Sequence, residues 1–84
     1  MARAANRLMV EEPQSDDNSI CLMHEDKMRE LKIFNGDPVL LRGKWRNKTL
    51  VIAIKDNKLD VGKIAINKVV RNNLKVKLAD LVTV

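Results

Sequence analysis

The stretch L-K-I-F-N-G-D-P-V-L-L, Leu31 to Leu41, returns near the C-terminus as L-K-V-K-L-A-D-L-V-T-V, Leu74 to Val84. Laying Gly36-Asp37 on Ala79-Asp80 sets an offset of 43 residues, under which Leu31, Lys32, Ile33, Val39 and Leu41 fall on Leu74, Lys75, Val76, Val82 and Val84. Working outward, the same offset lays Asn6-Arg7-Leu8-Met9-Val10 on Thr49-Leu50-Val51-Ile52-Ala53. Ser19-Ile20-Cys21-Leu22 falls on Lys63-Ile64-Ala65-Ile66 once a one-residue slip is allowed. The chain therefore reads as two copies of one unit, the alternative being chance similarity among short aliphatic strands. Two copies are fewer than the roughly three that a solenoid needs to bury a continuous core, so a closed domain with a pseudo-twofold axis is expected.

Eighty-four residues make one domain, and a domain this small buries only about 60–65% of its unfolded surface, so its sheet must close economically. Phe34 and Trp45 are the only aromatic residues, which leaves a core of Val, Ile, Leu and Met and favours strands. No apolar run approaches the roughly 20 residues of a membrane helix, and the N-terminal M-A-R-A-A-N lacks an apolar signal core, so a soluble, intracellular protein is expected. The net charge of +5 is unevenly placed. Acids come early, in Glu11-Glu12 and Asp16-Asp17. Lys63, Lys68, Arg71, Lys75 and Lys77 form a late stretch without an acid, suited to nucleic acid, anionic lipid or an acidic protein surface.

Taken in order, residues 1–5 are a flexible start. Arg7 to Glu12 reads as a strand that Pro13 ends by removing a ladder donor. Ile20 to Met23 is a second strand, His24-Glu25-Asp26 introduces a helical turn from Lys27 to Leu31, and Gly36-Asp37 turns the chain into a strand from Val39 to Arg42. After an exposed hairpin tip at Gly43 to Lys48 comes Leu50 to Lys55, apolar on both faces: Leu50, Ile52 and Ile54 on one, Val51 and Ala53 on the other. A small barrel turns one face inward, so the second must be covered by something else. Lys63 to Asn67, Lys68 to Asn73 and Leu81 to Val84 supply a strand, a short helix and a last strand. The whole is mainly β: six strands and two short helices in two β-β-α-β units.

No catalytic constellation is present. The single histidine, His24, stands at a helix start and suits a cap; Cys21 suits the core; Asp16-Asp17 suit a solvated loop. No G-x-x-x-x-G-K-[ST] phosphate loop occurs, so this chain does not hydrolyse ATP by that route, and no metal site is expected.

The β-β-α-β order with its Gly-Asp and Ala-Asp corners looks like a double-psi β-barrel. The segments N-R-L-M-V-E-E (Asn6 to Glu12), D-N-S-I-C-L (Asp17 to Leu22), K-M-R-E-L-K-I-F-N-G-D-P-V-L-L-R-G-K (Lys27 to Lys44) and N-K-V-V-R-N-N-L-K-V-K-L-A-D-L-V-T-V (Asn67 to Val84) resemble a known family. They are similar to the first, barrel subdomain in the N-terminal domain of the valosin-containing protein or cell-division-cycle type of AAA ATPase. The resemblance covers about residues 6–84. Departures are Ala79 where the family has Gly, Pro38 after the corner, the Asp56 to Gly62 loop, and lysines at Lys68, Lys75 and Lys77 where arginines are usual.

That resemblance implies a binding module rather than an enzyme: the N-terminal part of a homohexameric ATPase that extracts and unfolds ubiquitinated proteins, including in ER-associated degradation, in the cytoplasm or nucleus. ATP and magnesium would belong to the parent's ATPase modules. Partners implied are proteins with ubiquitin-regulatory X domains or short basic helices, docking in a cleft between the barrel and a following subdomain that is absent here, with ubiquitinated substrates arriving indirectly. The matching cleft positions are Asp17, Ile20, Phe34, Asp37, Ile52 and Ile54, an apolar slot whose two carboxylates suit a ligand arginine. Lys68, Lys75 and Lys77 match the interface with the first ATPase ring. Alternatives are the same barrel in a vesicle-fusion or peroxisomal ATPase or a ubiquitin-binding cofactor, and a basic nucleic-acid-binding barrel, against which stands the shortage of aromatics for stacking.

Overall fold

The computed structural model describes residues 5–84; of the start expected to be flexible, residues 1–4 lie outside the described residues, and the Ala5 carbonyl accepts from Lys27 Nζ at 3.1 Å. The elements are β1 (Arg7–Glu11), β2 (Ile20–Met23), α1 (Glu25–Glu30), β3 (Pro38–Arg42), β4 (Lys48–Lys55), β5 (Lys63–Ala65), α2 (Lys68–Leu74) and β6 (Leu81–Thr83), with a 3₁₀ turn at Lys44–Arg46 joining β3 to β4. The β-β-α-β unit occurs twice, as expected. Helix α1 begins earlier than Lys27, because His24 caps it: Nδ1 accepts from the Asp26 amide at 2.9 Å, and Glu25 and Asp26 occupy the first turn, where the helix dipole favours acids. Asn67 caps α2 in the same place, its Oδ1 accepting from the Val70 amide at 3.1 Å.

The strands close into a ring in the order β1-β5-β2-β4-β3-β6. The pairs β1·β5 and β2·β4 are parallel and the rest antiparallel. Met9 lies opposite Lys63 and Val10 opposite Ile64, while Ile52 lies opposite Ile20 and Ala53 opposite Cys21. These are one ladder repeated at an offset of 43, so the slip expected between β2 and β5 is not there: Lys63, not Ile64, occupies the position of Ile20. Aligning by hydrophobicity misplaced it because Lys63 lays an aliphatic stem where Ile20 has a whole apolar side chain, while its ammonium reaches Glu11 at 3.0 Å and Asp60 at 3.5 Å.

The corners repeat as closely. The Gly36 amide donates to the Ala53 carbonyl at 2.7 Å and the Ala53 amide to the Asp37 carbonyl at 2.8 Å; the Ala79 amide donates to Val10 at 2.9 Å and the Val10 amide to Asp80 at 2.8 Å. The Asp37 and Asp80 carboxylates accept from the Phe34 and Lys77 amides at 2.9 and 2.8 Å. Both therefore stand at equivalent strand starts.

Alternate strand residues point inward. Leu8, Val10, Cys21, Met23, Val39, Leu41, Val51, Ala53, Ile64 and Val82 fill the barrel, closed by Met28, Val70 and Leu74 from the helices. Burial pushes the Cys21 thiol up to about 12, which leaves it an inert apolar filler. At Gly43, between β3 and the 3₁₀ turn, an added Cβ would collide with the Leu74 carbonyl, so the chain passes there without a side chain. No described helix is long and apolar enough to cross a membrane.

Candidate functional site

Because the inner face of β4 is committed to Val51 and Ala53, the outer face carries Leu50, Ile52 and Ile54, with Leu50 exposed and the two isoleucines half-buried. The neighbouring strands continue this surface. Ile20 of β2 and Pro38 of β3 both lie opposite Ile52, Leu22 lies opposite Ile54, and Leu40 lies opposite Leu50. The structure therefore brings Ile20, Ile52 and Ile54 together on one apolar face. Leu22, Pro38, Leu40 and Leu50 extend that face and were not among the expected cleft residues. Their period of two, once β2 and β3 are known to flank β4, is the signal that finds them.

The two expected carboxylates flank this face at the starts of β2 and β3. Asp17 Oδ1 accepts from the Ser19 amide at 2.8 Å and the Ser19 hydroxyl at 2.5 Å, while the Ser19 carbonyl accepts from the Ile52 amide at 2.8 Å. The Ser19 hydroxyl, then its amide, holds the Asp17 carboxyl below the usual carboxylate range, so it is charged at neutral pH. Asp37 is half-buried and fixed by the Phe34 amide. The turn from Phe34 to Asp37 is clamped on β4, since Asn35 Oδ1 accepts from the Lys55 amide at 2.7 Å in addition to the Gly36 and Asp37 links. It presents Phe34 with 77% of its surface exposed. A large exposed aromatic held at the Lys55 end of β4, beside an aliphatic face that two fixed carboxylates flank, is the chemistry of a protein-docking surface.

The late basic stretch is altered by folding. Lys63 pairs with Glu11, and Arg71 Nη1 pairs with Glu12 Oε2 at 2.7 Å, because β1 runs beside β5. The early acids thus neutralise two of its five cations. Lys68, Lys75 and Lys77 remain exposed and outside any ion pair among the described residues. Lys68 opens α2, Lys75 ends it in a left-handed conformation with φ 58°, and Lys77 lies in the turn before Asp80. Among the described residues no group of three or more His, Cys, Asp or Glu side chains is arranged to hold a metal ion.

Residues 7–84 match the family model described as Cell division protein 48 (CDC48), N-terminal domain. The chain belongs to the CDC48 N-terminal domain family. The fold has an independent likeness: the rationally designed mkDPBB_sym_86 protein, a double-psi β-barrel, superposes with a TM-score of 0.81 at 21% identity, covering 93% of this chain and 87% of the designed one. The six-stranded ring is accordingly a double-psi β-barrel. The CDC48 N-terminal domain family is associated with cofactor binding in AAA ATPases, and the N-terminal domain is not itself catalytic.

Proposed function

We propose that this barrel is the adaptor-recruiting module of a homohexameric AAA ATPase that extracts and unfolds ubiquitinated proteins, and that proteins bearing ubiquitin-regulatory X domains or short basic helices dock on the outer face of β2 and β4. The observation that carries this reading is the row formed by Ile20, Ile52 and Pro38 across three strands, with Asp17 and Asp37 flanking it. The apolar row supplies the desolvated anchor, and the carboxylates pair with an arginine of the ligand. Substrates reach the ATPase through the bound adaptors. Lys68, Lys75 and Lys77 face the first ATPase ring; lysine keeps the charge of the family's usual arginine without its bidentate fork, which alters the geometry of that interface. ATP and magnesium belong to the parent's ATPase modules, and the site of action is the cytoplasm or nucleus.

A titration of a ubiquitin-regulatory X domain into a longer protein that carries the following subdomain tests the reading. Ile52→Asp abolishes binding while the barrel stays folded, and Asp37→Lys weakens it through repulsion of the ligand's arginine. Because Asp37 also closes the Phe34 turn, its variant is scored only after its thermal unfolding has been compared with the parent. Normal binding by a folded Ile52→Asp variant would sink the assignment. Salt-resistant, sequence-selective binding of single-stranded DNA would favour the nucleic-acid reading instead, since non-specific binding is expected at about 10⁻⁴ to 10⁻⁶ M.

A further inference from the structure

Internal symmetry gives each surface of the barrel a built-in comparison. Beside α1 lies a groove of about 570 Å³, whose apolar lining is Met28, Ile33 and Phe34 and whose charged lining includes Arg29, Lys32 and Lys55. At the offset of 43 residues, Met28 corresponds to Arg71 and Lys55 to Glu12. In that mate position the surface is filled, because Arg71 Nη1 pairs with Glu12 at 2.7 Å and donates to the Ile66 carbonyl at 2.8 Å, leaving its side chain 12% exposed. In the first unit a methionine and a lysine stand where that ion pair would be, and the groove is open.

Its charges are only partly neutralised from within, since Glu25 alone among the lining residues is acidic against Arg29, Lys32 and Lys55. Glu25 on the rim is engaged: its Oε2 accepts from Asn57 Nδ2 at 3.1 Å and its Oε1 pairs with Arg29 at 3.2 Å. Lys32 and Lys55 are exposed and in no ion pair among the described residues. We infer that this groove docks an acidic peptide segment of a partner protein, which seats one large apolar side chain against Met28, Ile33 and Phe34 and sets carboxylates on Lys32 and Lys55. The volume falls in the range of about 300–1,000 Å³ typical of ligand sites and accommodates one bulky side chain with its flanking backbone. Cationic rims select acidic partners mainly through attraction and faster encounter. This ligand is opposite in charge to the basic one proposed for the outer face of β4, so the inference goes beyond that function. Phe34, one of the residues expected in the cleft, lines this groove.

The test is fluorescence anisotropy with a fluorescein-labelled peptide of Asp and Glu around a central Phe, titrated with the full 84-residue chain. The expected result is saturable binding that falls about tenfold or more in Lys32→Asp combined with Lys55→Glu, and that falls likewise when the peptide's Phe is replaced by Ser. Asp suits position 32 because Lys32 has φ 61°. Circular dichroism establishes whether the double variant is folded, and if it is not, the milder Lys55→Gln decides: an intermediate loss is expected, and undiminished binding would overturn the inference. Ile52→Asp leaves peptide binding unchanged, and the lysine reversals leave binding of a ubiquitin-regulatory X domain unchanged, so the two readings fail separately. No binding by the parent chain, undiminished binding after charge reversal, or loss with Ile52→Asp alone would each overturn the inference. Equal binding of the Ser peptide or of single-stranded DNA would overturn its apolar anchor.

Discussion

At the scale of single residues, the symmetry places different side chains in one backbone environment. Gly36 has φ 94° and its mate Ala79 has φ 72°, the region in which a Cβ crowds the following carbonyl. Ala79→Gly is therefore expected to raise stability by about 0.5–1 kcal/mol, the relief of strain exceeding the added freedom of the unfolded chain, whereas Gly36→Ala lowers it by about 1 kcal/mol even though nothing lies within 4 Å of the new methyl. Denaturant midpoints of the two variants would reveal this opposite sign. The Arg71 and Met28 difference has a similar local cause. Met23 O accepts from the Asp56 amide at 2.8 Å, but the mate of Asp56 is Pro13, which has no N–H, and Arg71 supplies the missing donor to Ile66. Asp80 also differs from its mate, since Lys44 Nζ reaches it at 3.0 Å. The Lys77 amide, then Lys44, holds its carboxyl below the usual carboxylate range. A carboxyl lowered on folding stabilises the native state above its unfolded pKa, and that contribution disappears as pH falls through the folded value. Thermal unfolding of Asp80→Asn should accordingly lie below that of the parent at neutral pH, with the gap closing below the ordinary carboxylate range; a gap that persists in acid would assign the loss to something other than charge.

At the scale of elements, β4 decides between packing and binding. Its burial alternates, with Val51 and Ala53 enclosed and Ile52 and Ile54 half-buried. Val51→Asp buries an unpaired carboxylate and costs several kcal/mol, a large share of the roughly 4–13 kcal/mol that a domain of this size possesses. Ile52→Asp places the charge at the surface and leaves the barrel folded. Circular dichroism and thermal unfolding of the pair separate the faces, and the reverse outcome would invert them. Both faces were legible in the sequence, because a strand's period of two is visible without knowing its neighbours. So were the caps and corners, where His24, Gly36 and Asp37 act within a few residues. The neighbours themselves were not legible: that β1 lies beside β5, which joins Glu11 to Lys63 and Glu12 to Arg71, depends on contacts across about fifty residues. The apparent basic stretch and the slip between β2 and β5 both came from reading a strand without its partner. The groove beside α1 was missed for the same reason, since its apolar lining and Lys55 come from separate parts of the chain.

At the scale of the molecule, the ring order has one consequence for how the fold holds together. Each of the six pairings joins a strand from residues 7–42 to one from residues 48–83, so neither half contains a strand ladder of its own. A half in isolation would leave every strand's backbone groups without partners and expose its share of one common core. Residues 1–44 and 45–84 made as separate chains are thus each expected to be unstructured by circular dichroism, and to form the barrel when mixed, with a melting temperature that rises with concentration as mass action requires. The break falls beside Trp45, which is 80% exposed in the 3₁₀ turn, so little packing is lost there. Since the halves are alike, each could also pair with a second copy of itself, and the ion pairs decide against it. Two copies of the second half would set Arg71 against Lys55 instead of Glu12, and Lys63 against Ile54 instead of Glu11; two copies of the first would leave Glu12 facing Met28. Like charges and unpaired carboxylates disfavour both, so the mixed pair should dominate over either homodimer in native mass spectrometry. Glu12→Lys in the first half should erase that preference without removing any strand pairing. A folded, monomeric single half would show instead that the alternating ring is not what makes the two units interdependent.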